Sequence, residues 1–231
     1  MAYQTFDILQ NIFKQKHPLI HVISVDDNVL IADPQILWNF LSTADAEVIG
    51  LAPVYGAKCV LSSLAFSTLS QVLVVRFSSA KPKGKKKKKA NKTTPHLMPG
   101  KSLLQDNILC HPDRQKYAFR MDKLSASLFL DLNLRMTRGI DLISSSRSGR
   151  KSVAAKMNAL GGETTLHKSQ TIALFKHEET ATTPIQDVAL QAWAACRAGS
   201  LPSLTKALSK LPRIDTRVLG ENVCILFGAS I

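Results

Sequence analysis

The chain has 231 residues, 45% of them hydrophobic, with a mean hydropathy of +0.02. That balance excludes a disordered chain and suits one sizeable α/β domain with a real core, or at most two small ones. A net charge of +13 calls for an anionic partner: nucleic acid first, then an acidic protein or a membrane surface.

Residues 6–13 (FDILQNIF) put Phe6, Leu9, Ile12 and Phe13 on one helical face, so a docking helix is expected. PLIHVISV is short and β-branched, as a strand should be. Residues 1–28 then form a helix-and-strand extension ahead of a main domain over 29–231. In VLIADPQILWNFLSTADA a strand is expected to lead into a helix. Asp33 would be its N-cap, Pro34 its first residue, and Leu37, Trp38 and Leu41 its apolar stripe. EVIGL, CVLSSLAF and QVLVVRF predict three buried strands, a meander on one side of a mixed sheet. The uncharged run from Cys59 to Val75 is interrupted by serines and threonines and falls short of the ~20 apolar residues of a membrane span. No membrane partner is expected. The start of the chain carries Asp7 and lacks a charged-then-apolar-then-small pattern, so no signal peptide is indicated.

After Phe77 the composition changes. SSAKPKGKKKKKANKTTPHLMPGK has no periodicity and predicts a disordered basic insertion over 79–100, in which residues 81–92 hold eight lysines and no acid. SLLQDNILC predicts a helix capped by Ser102, and KYAF a short strand. MDKLSASLFLDL pairs Leu124 with Leu128 at i, i+4 as a helix would. MTRGIDLIS is the next expected strand, and SSSRSGRKS a second basic loop. SVAAKMNALGG reads as a helix ended by Gly161 and Gly162. IQDVALQAWAACRA is a strong helix with Val188, Ala192 and Ala195 inward. SLTKALSKL is amphipathic, and VCILFG suits a short strand or core plug.

Cys59, Cys110, Cys196 and Cys224 are scattered, which favours reduced thiols, and the histidines do not join them at zinc-ligand spacing. Neither a G-x-S-x-G elbow nor a phosphate loop is present.

Several stretches in order resemble the ribonuclease D branch of the DEDD 3′–5′ exonucleases, from about Val29 to Arg197. EVIGLAPVYG is similar to the family's first-strand motif, and LLQDNILCHPDRQKYAF to the helix and strand before its second motif. DKLSASLFLDLNLRMTRGIDL resembles the family's next helix and strand, with Asp141 closing that strand. LHKSQTIALF resembles a Lys-Ser segment with Phe175 in the aromatic place, and PIQDVALQAWAACR the last helix. The resemblance implies a ribonuclease H-like three-layer α/β fold, a mixed central sheet flanked by helices.

Family chemistry holds two divalent metals about 4 Å apart on carboxylates. Carried across, the first Asp and Glu fall on Ala52 and Val54. The second Asp falls on Leu124, or on Asp122 if the helix is shifted. The last Asp falls on Cys196, and its Tyr on Ala192. The resemblance therefore implies a catalytically degenerate domain without cofactor. The alternative is an active Mg²⁺- or Mn²⁺-dependent exonuclease whose ligands lie among Asp45, Glu47, Asp131, Asp141 and Asp187. Binding becomes the expected role, of single-stranded RNA or DNA or of a protein partner in an RNA-processing or silencing complex. A third reading is a protein adaptor without nucleic-acid binding.

The expected nucleic-acid contacts are Lys83, Lys85, Lys86, Lys87, Lys88, Lys89 and Lys92, then Arg147, Arg150 and Lys151, with Arg120 beside the presumed cleft. Lysine neutralises phosphate as a flexible point charge and does not read bases. The lysine run also favours a nuclear over a cytoplasmic location. A solvated loop, or in SSRSGRKS a phosphorylatable one, is the competing reading of these segments.

Overall fold

The computed structural model describes residues 3–42, 47–78, 99–144, 152–176 and 183–219. Its strands are β1 (Tyr3–Ile8), β2 (Ile20–Asp26), β3 (Val48–Tyr55), β4 (Leu61–Ser67), β5 (Gln71–Arg76), β6 (Gln115–Ala118) and β7 (Gly139–Asp141). Its helices are α1 (Asp27–Ala32), α2 (Gln35–Ser42), α3 (Pro99–Leu104), α4 (Met121–Leu132), α5 (Val153–Ala159), α6 (Lys168–Lys176), α7 (Ile185–Gly199) and α8 (Pro202–Leu208).

The strands form one seven-stranded sheet in the order β1-β2-β5-β4-β3-β6-β7. From β3 onward the chain lays an antiparallel meander, β3 to β4 to β5, and then adds β6 and β7 parallel on the other side of β3. Numbered within that set, the order is third, second, first, fourth, fifth with only the second reversed. This is the ribonuclease H-like arrangement. β2 extends it parallel to β5, and β1 closes the edge antiparallel to β2.

Layering is dictated by the residues. β5 buries Val72, Leu73, Val74 and Val75 in succession, the continuous apolar run of a strand covered on both faces. Alternate residues divide between two cores. Ala52, Ala65, Val72 and Val74 join α5, α6 and α7 on one face, and Ile49, Leu51, Leu64, Leu73 and Val75 join α1 to α4 on the other. α7 lies tightly against β3. A Cβ on Gly50 would come within 1.9 Å of the Ala192 carbonyl oxygen and 2.4 Å of the Cys196 nitrogen. Ala189, Ala192, Ala195 and Ala198, all fully buried, give the helix a face small enough to sit there. α5 ends as expected, with Gly161 and Gly162 at φ +103° and +89°.

Four expectations are corrected. Residues 6–13 are not a helix: β1 pairs residue for residue with β2, and Leu9 is 67% exposed. Eight residues with spaced apolar positions fit either period, and the open edge of β2 decides for the strand. VLIA is helical, because the chain turns at the end of β2. Asp27 is buried there and accepts hydrogen bonds from Ser78 N (3.2 Å) and Ser78 Oγ (2.8 Å). In α2 the inward residues are Ile36, Leu37, Phe40 and Leu41, whereas Trp38 is 43% exposed. Ser102 is not a cap: α3 begins at Pro99 and runs into a π-helical turn over Gln105–Leu109, and the Ser102 hydroxyl donates to Asp106 Oδ2 at 3.0 Å. The basic insertion and VCILFG lie outside the described residues, apart from Pro99 and Gly100. Among the described residues no helix is long and apolar enough to cross a membrane.

Candidate nucleic-acid interface

β3, β6 and β7 run parallel, so the sheet has one end where they start and one where they finish. Ala52 and Val54 stand toward the finishing end. Leu51 pairs with Ala118, the last residue of β6, and Arg120 follows in the turn at that same finishing end. Ala52 is buried on the α7 face, and Leu124 is fully buried on the α4 face. Cys196 is on the α7 face as well, against Gly50, where a Cβ on the glycine would come within 2.9 Å of the Cys196 Cβ. Its thiol donates to the Val48 carbonyl oxygen at 3.5 Å, and Gly50 lies two residues, about 7 Å at ~3.3 Å each, before Ala52. Burial pushes that thiol up to about 12, so it stays protonated. The four positions thus contribute apolar side chains and one neutral thiol, with Leu124 across the sheet from the other three.

The carboxylates considered as substitutes are engaged or scattered. Asp141 is buried at the last position of β7. Its Oδ1 accepts from Arg120 N (3.0 Å) and Ile143 N (3.2 Å), and its Oδ2 from Ser144 Oγ (2.8 Å). This clamp holds Arg120 in the left-handed region, φ +59°, at the corner where β6 turns into α4. Asp131 Oδ2 accepts from Leu61 N at 2.9 Å. Asp122 is exposed in the first turn of α4, where its Oδ1 accepts from Lys123 N. Asp187 lines a hollow with Asp7, and Glu47 is exposed at the start of β3. Asp45 is outside the described residues. Among those described, no group of three or more His, Cys, Asp or Glu could hold a metal ion. A divalent pair needs several converging hard oxygens, and the donor set present does not fit one.

Arg120 is the one expected contact that can be placed. Lys83, Lys85, Lys86, Lys87, Lys88, Lys89, Lys92, Arg147, Arg150 and Lys151 all lie outside the described residues. The structure adds a basic group at the starting end of the sheet that sequence reading missed. Lys116 on β6 is fully buried, and its Nζ donates to the His111 carbonyl oxygen at 3.3 Å. Arg114 donates to the Asn107 carbonyl oxygen and Arg138 to that of Pro112. Arg135 donates to Thr216 O (3.0 Å) and Leu219 O (2.6 Å) and lies over the Phe129 ring. Main-chain carbonyls orient these cations without cancelling their charge. Burial first, and then the nearby Arg138, Arg114 and Arg217, lowers Lys116 to about 8 against an opposing effect of Cys110. No motif marks the group, because it is assembled from the separate segments before β6 and before β7.

No family model matches the chain, and no curated protein matches it. Two solved structures are similar to it. One is the EXD2 exonuclease domain soaked in Mn and dGMP, at 19% identity and a TM-score of 0.38, with 69% of this chain and 85% of that one covered. The other is the EXD2 exonuclease domain soaked in Mn, at 17% identity and a TM-score of 0.37, with 82% and 94% covered. The strand order, and not these likenesses, carries the fold assignment.

Proposed function

We propose that the chain is a non-catalytic exonuclease-like domain that binds single-stranded nucleic acid, RNA in preference to DNA, as a subunit of an RNA-processing or silencing complex. The observation that carries this reading is the finishing end of the sheet. Ala52 and Val54 offer no oxygen there, and both oxygens of Asp141 are engaged by protein donors. Metal-assisted hydrolysis needs a site that activates water and stabilises the leaving oxygen. A surplus of thirteen positive charges, with eight lysines within residues 81–92, is what the chain retains for polyanions. The same lysine run suits nuclear import.

The test is incubation with labelled single-stranded RNA and DNA, with Mg²⁺ or Mn²⁺, following cleavage and retention across a salt series. Retention without shortening is expected, with affinity falling as salt rises by ~0.7 log units per log unit of salt for each phosphate contact. Metal-dependent shortening abolished by EDTA would overturn the reading. Absence of both shortening and low-salt binding would leave the protein-adaptor reading. Arg120→Ala is expected to weaken binding, because Arg120 stands at the finishing end of the sheet beside Asp141; unchanged affinity removes it from the interface.

A further inference from the structure

We propose that the Phe13–His17 loop and the corner between α7 and α8 form a phosphate site for a nucleic-acid backbone. The proposal rests on the binding reading above and gives it a location among the described residues.

A hollow of about 320 Å³ lies there, and its polar lining is Lys14, Gln15, Thr165, Arg197 and Ser203. It holds two cations, two hydroxyls and no carboxylate. Lys14 is held in place through main chain. Its amide donates to the Thr165 carbonyl oxygen at 3.0 Å, and its Nζ to that of Glu163 at 3.3 Å. The Glu163 carboxylate is turned to Lys168 at 3.2 Å, so it does not cancel Lys14. Arg197 Nε is buried without a hydrogen-bond partner, and so is His17 Nε2 nearby. A buried donor left unmet is costly, and a site that supplies an acceptor is the ordinary remedy. Burial, then the charge of Arg197, lowers His17 from its usual value, so the imidazole stays neutral and the cationic role falls to Lys14 and Arg197.

A second hollow of about 600 Å³ lies across the same loop. Lys14, Lys16, His17, His167 and Ser169 line it, and Phe13, Lys14 and Gln15 are common to both. Two basic hollows sharing one wall suit successive phosphates of a strand, whereas a free phosphate would need only one. Phe13, His17 and Trp193 pack edge to face on one another. They brace the loop and offer no open ring for base stacking, which implies contact with the backbone and little sequence preference.

The experiment measures affinity for a labelled single-stranded RNA across a salt series for the wild type, Lys14→Gln and Lys14→Gln/Arg197→Gln, with a thermal melt of each protein. Lys14 is exposed, so the single variant keeps the fold. The salt slope is expected to become shallower by about 0.7 in the single variant and about 1.4 in the double. Wild-type binding with the same slope in both variants overturns the site and leaves the binding reading standing. Failure of the wild type to bind RNA sinks the binding reading itself. In a second arm inorganic phosphate replaces RNA. A phosphate-dependent rise in melting temperature that Arg197→Gln abolishes, without RNA binding, would make this a small-anion site and overturn the backbone assignment.

Discussion

Lys116 is fully buried on β6 with a single main-chain acceptor, and burial among arginines holds it at about 8 against an ordinary 10.5. Below pH 8 the native state must carry that charge inside. Between pH 8 and 10.5 the unfolded chain still binds the proton that the native state has released, so this residue makes stability rise with pH. Lys116→Met is therefore expected to stabilise the protein at pH 7 by up to about 3 kcal/mol, with the gain shrinking toward zero as pH approaches ~10.5. Urea unfolding of both proteins at about pH 7 and about pH 10 checks this. The comparison must be between variant and wild type, because Cys196 acts in the opposite sense: its thiol, raised from 9.0 to about 12, adds stability below pH 9 that is lost as pH rises further. Asp141 is the second residue with a measurable role. Asp141→Ala removes the acceptors of two main-chain amides and one hydroxyl and is expected to cost about 3 kcal/mol. Equal unfolding midpoints would show that the Arg120 corner does not depend on the clamp. The sequence marked Asp141 only as a strand-closing aspartate and left open a metal role. Its true employment depends on which amides the corner brings to it, and spacing does not encode that.

Among the elements, the meander, α4 and α7 were legible because their apolar periods are long or their runs unbroken. β1 and α1 were not. Each is six residues long, and at that length a neighbour decides: the free edge of β2 for one, the Asp27–Ser78 hydrogen bonds for the other. The α7–β3 contact was legible only in part. The inward placing of Val188, Ala192 and Ala195 was expected, but the partner of that face, Gly50, is a single residue in a strand of otherwise larger side chains. Gly50→Ala is expected to destabilise the protein by more than about 3 kcal/mol, since the new Cβ meets backbone that cannot step aside. Chemical denaturation or loss of soluble expression would report it; a wild-type midpoint would mean that α7 can back away from the sheet.

For the whole molecule, the order of elements was enough to expect the ribonuclease H-like layers, and the strand order bears that out. The site was less legible. Carrying motif positions across assumed that residues matched in sequence would also meet in space. Ala52 and Leu124 instead belong to opposite faces, and Cys196 sits against Gly50 beneath α7. The described cations at the starting end, Arg114, Lys116, Arg135 and Arg138, were invisible because charge alone does not say where a side chain is anchored.

The seat of α7 on Gly50 has a consequence for any attempt to build a metal site beneath that helix. Carboxylates introduced as Ala52→Asp, Val54→Glu, Leu124→Asp and Cys196→Asp would lie on both faces of the sheet and would not assemble a two-metal site. The last carboxylate would be desolvated against Gly50 and the Val48 carbonyl, on the face of Ala52 but across the sheet from Leu124. Bringing it level with Ala52 would mean moving the helix by about 7 Å, a little over one turn at ~5.4 Å each, off the glycine whose missing Cβ admits the Ala192–Cys196 turn. Calorimetry of the quadruple variant with Mn²⁺ is expected to show no two-site binding, and melting to show a large loss of stability. The fit of helix to strand is set in the backbone, where point mutation has little purchase.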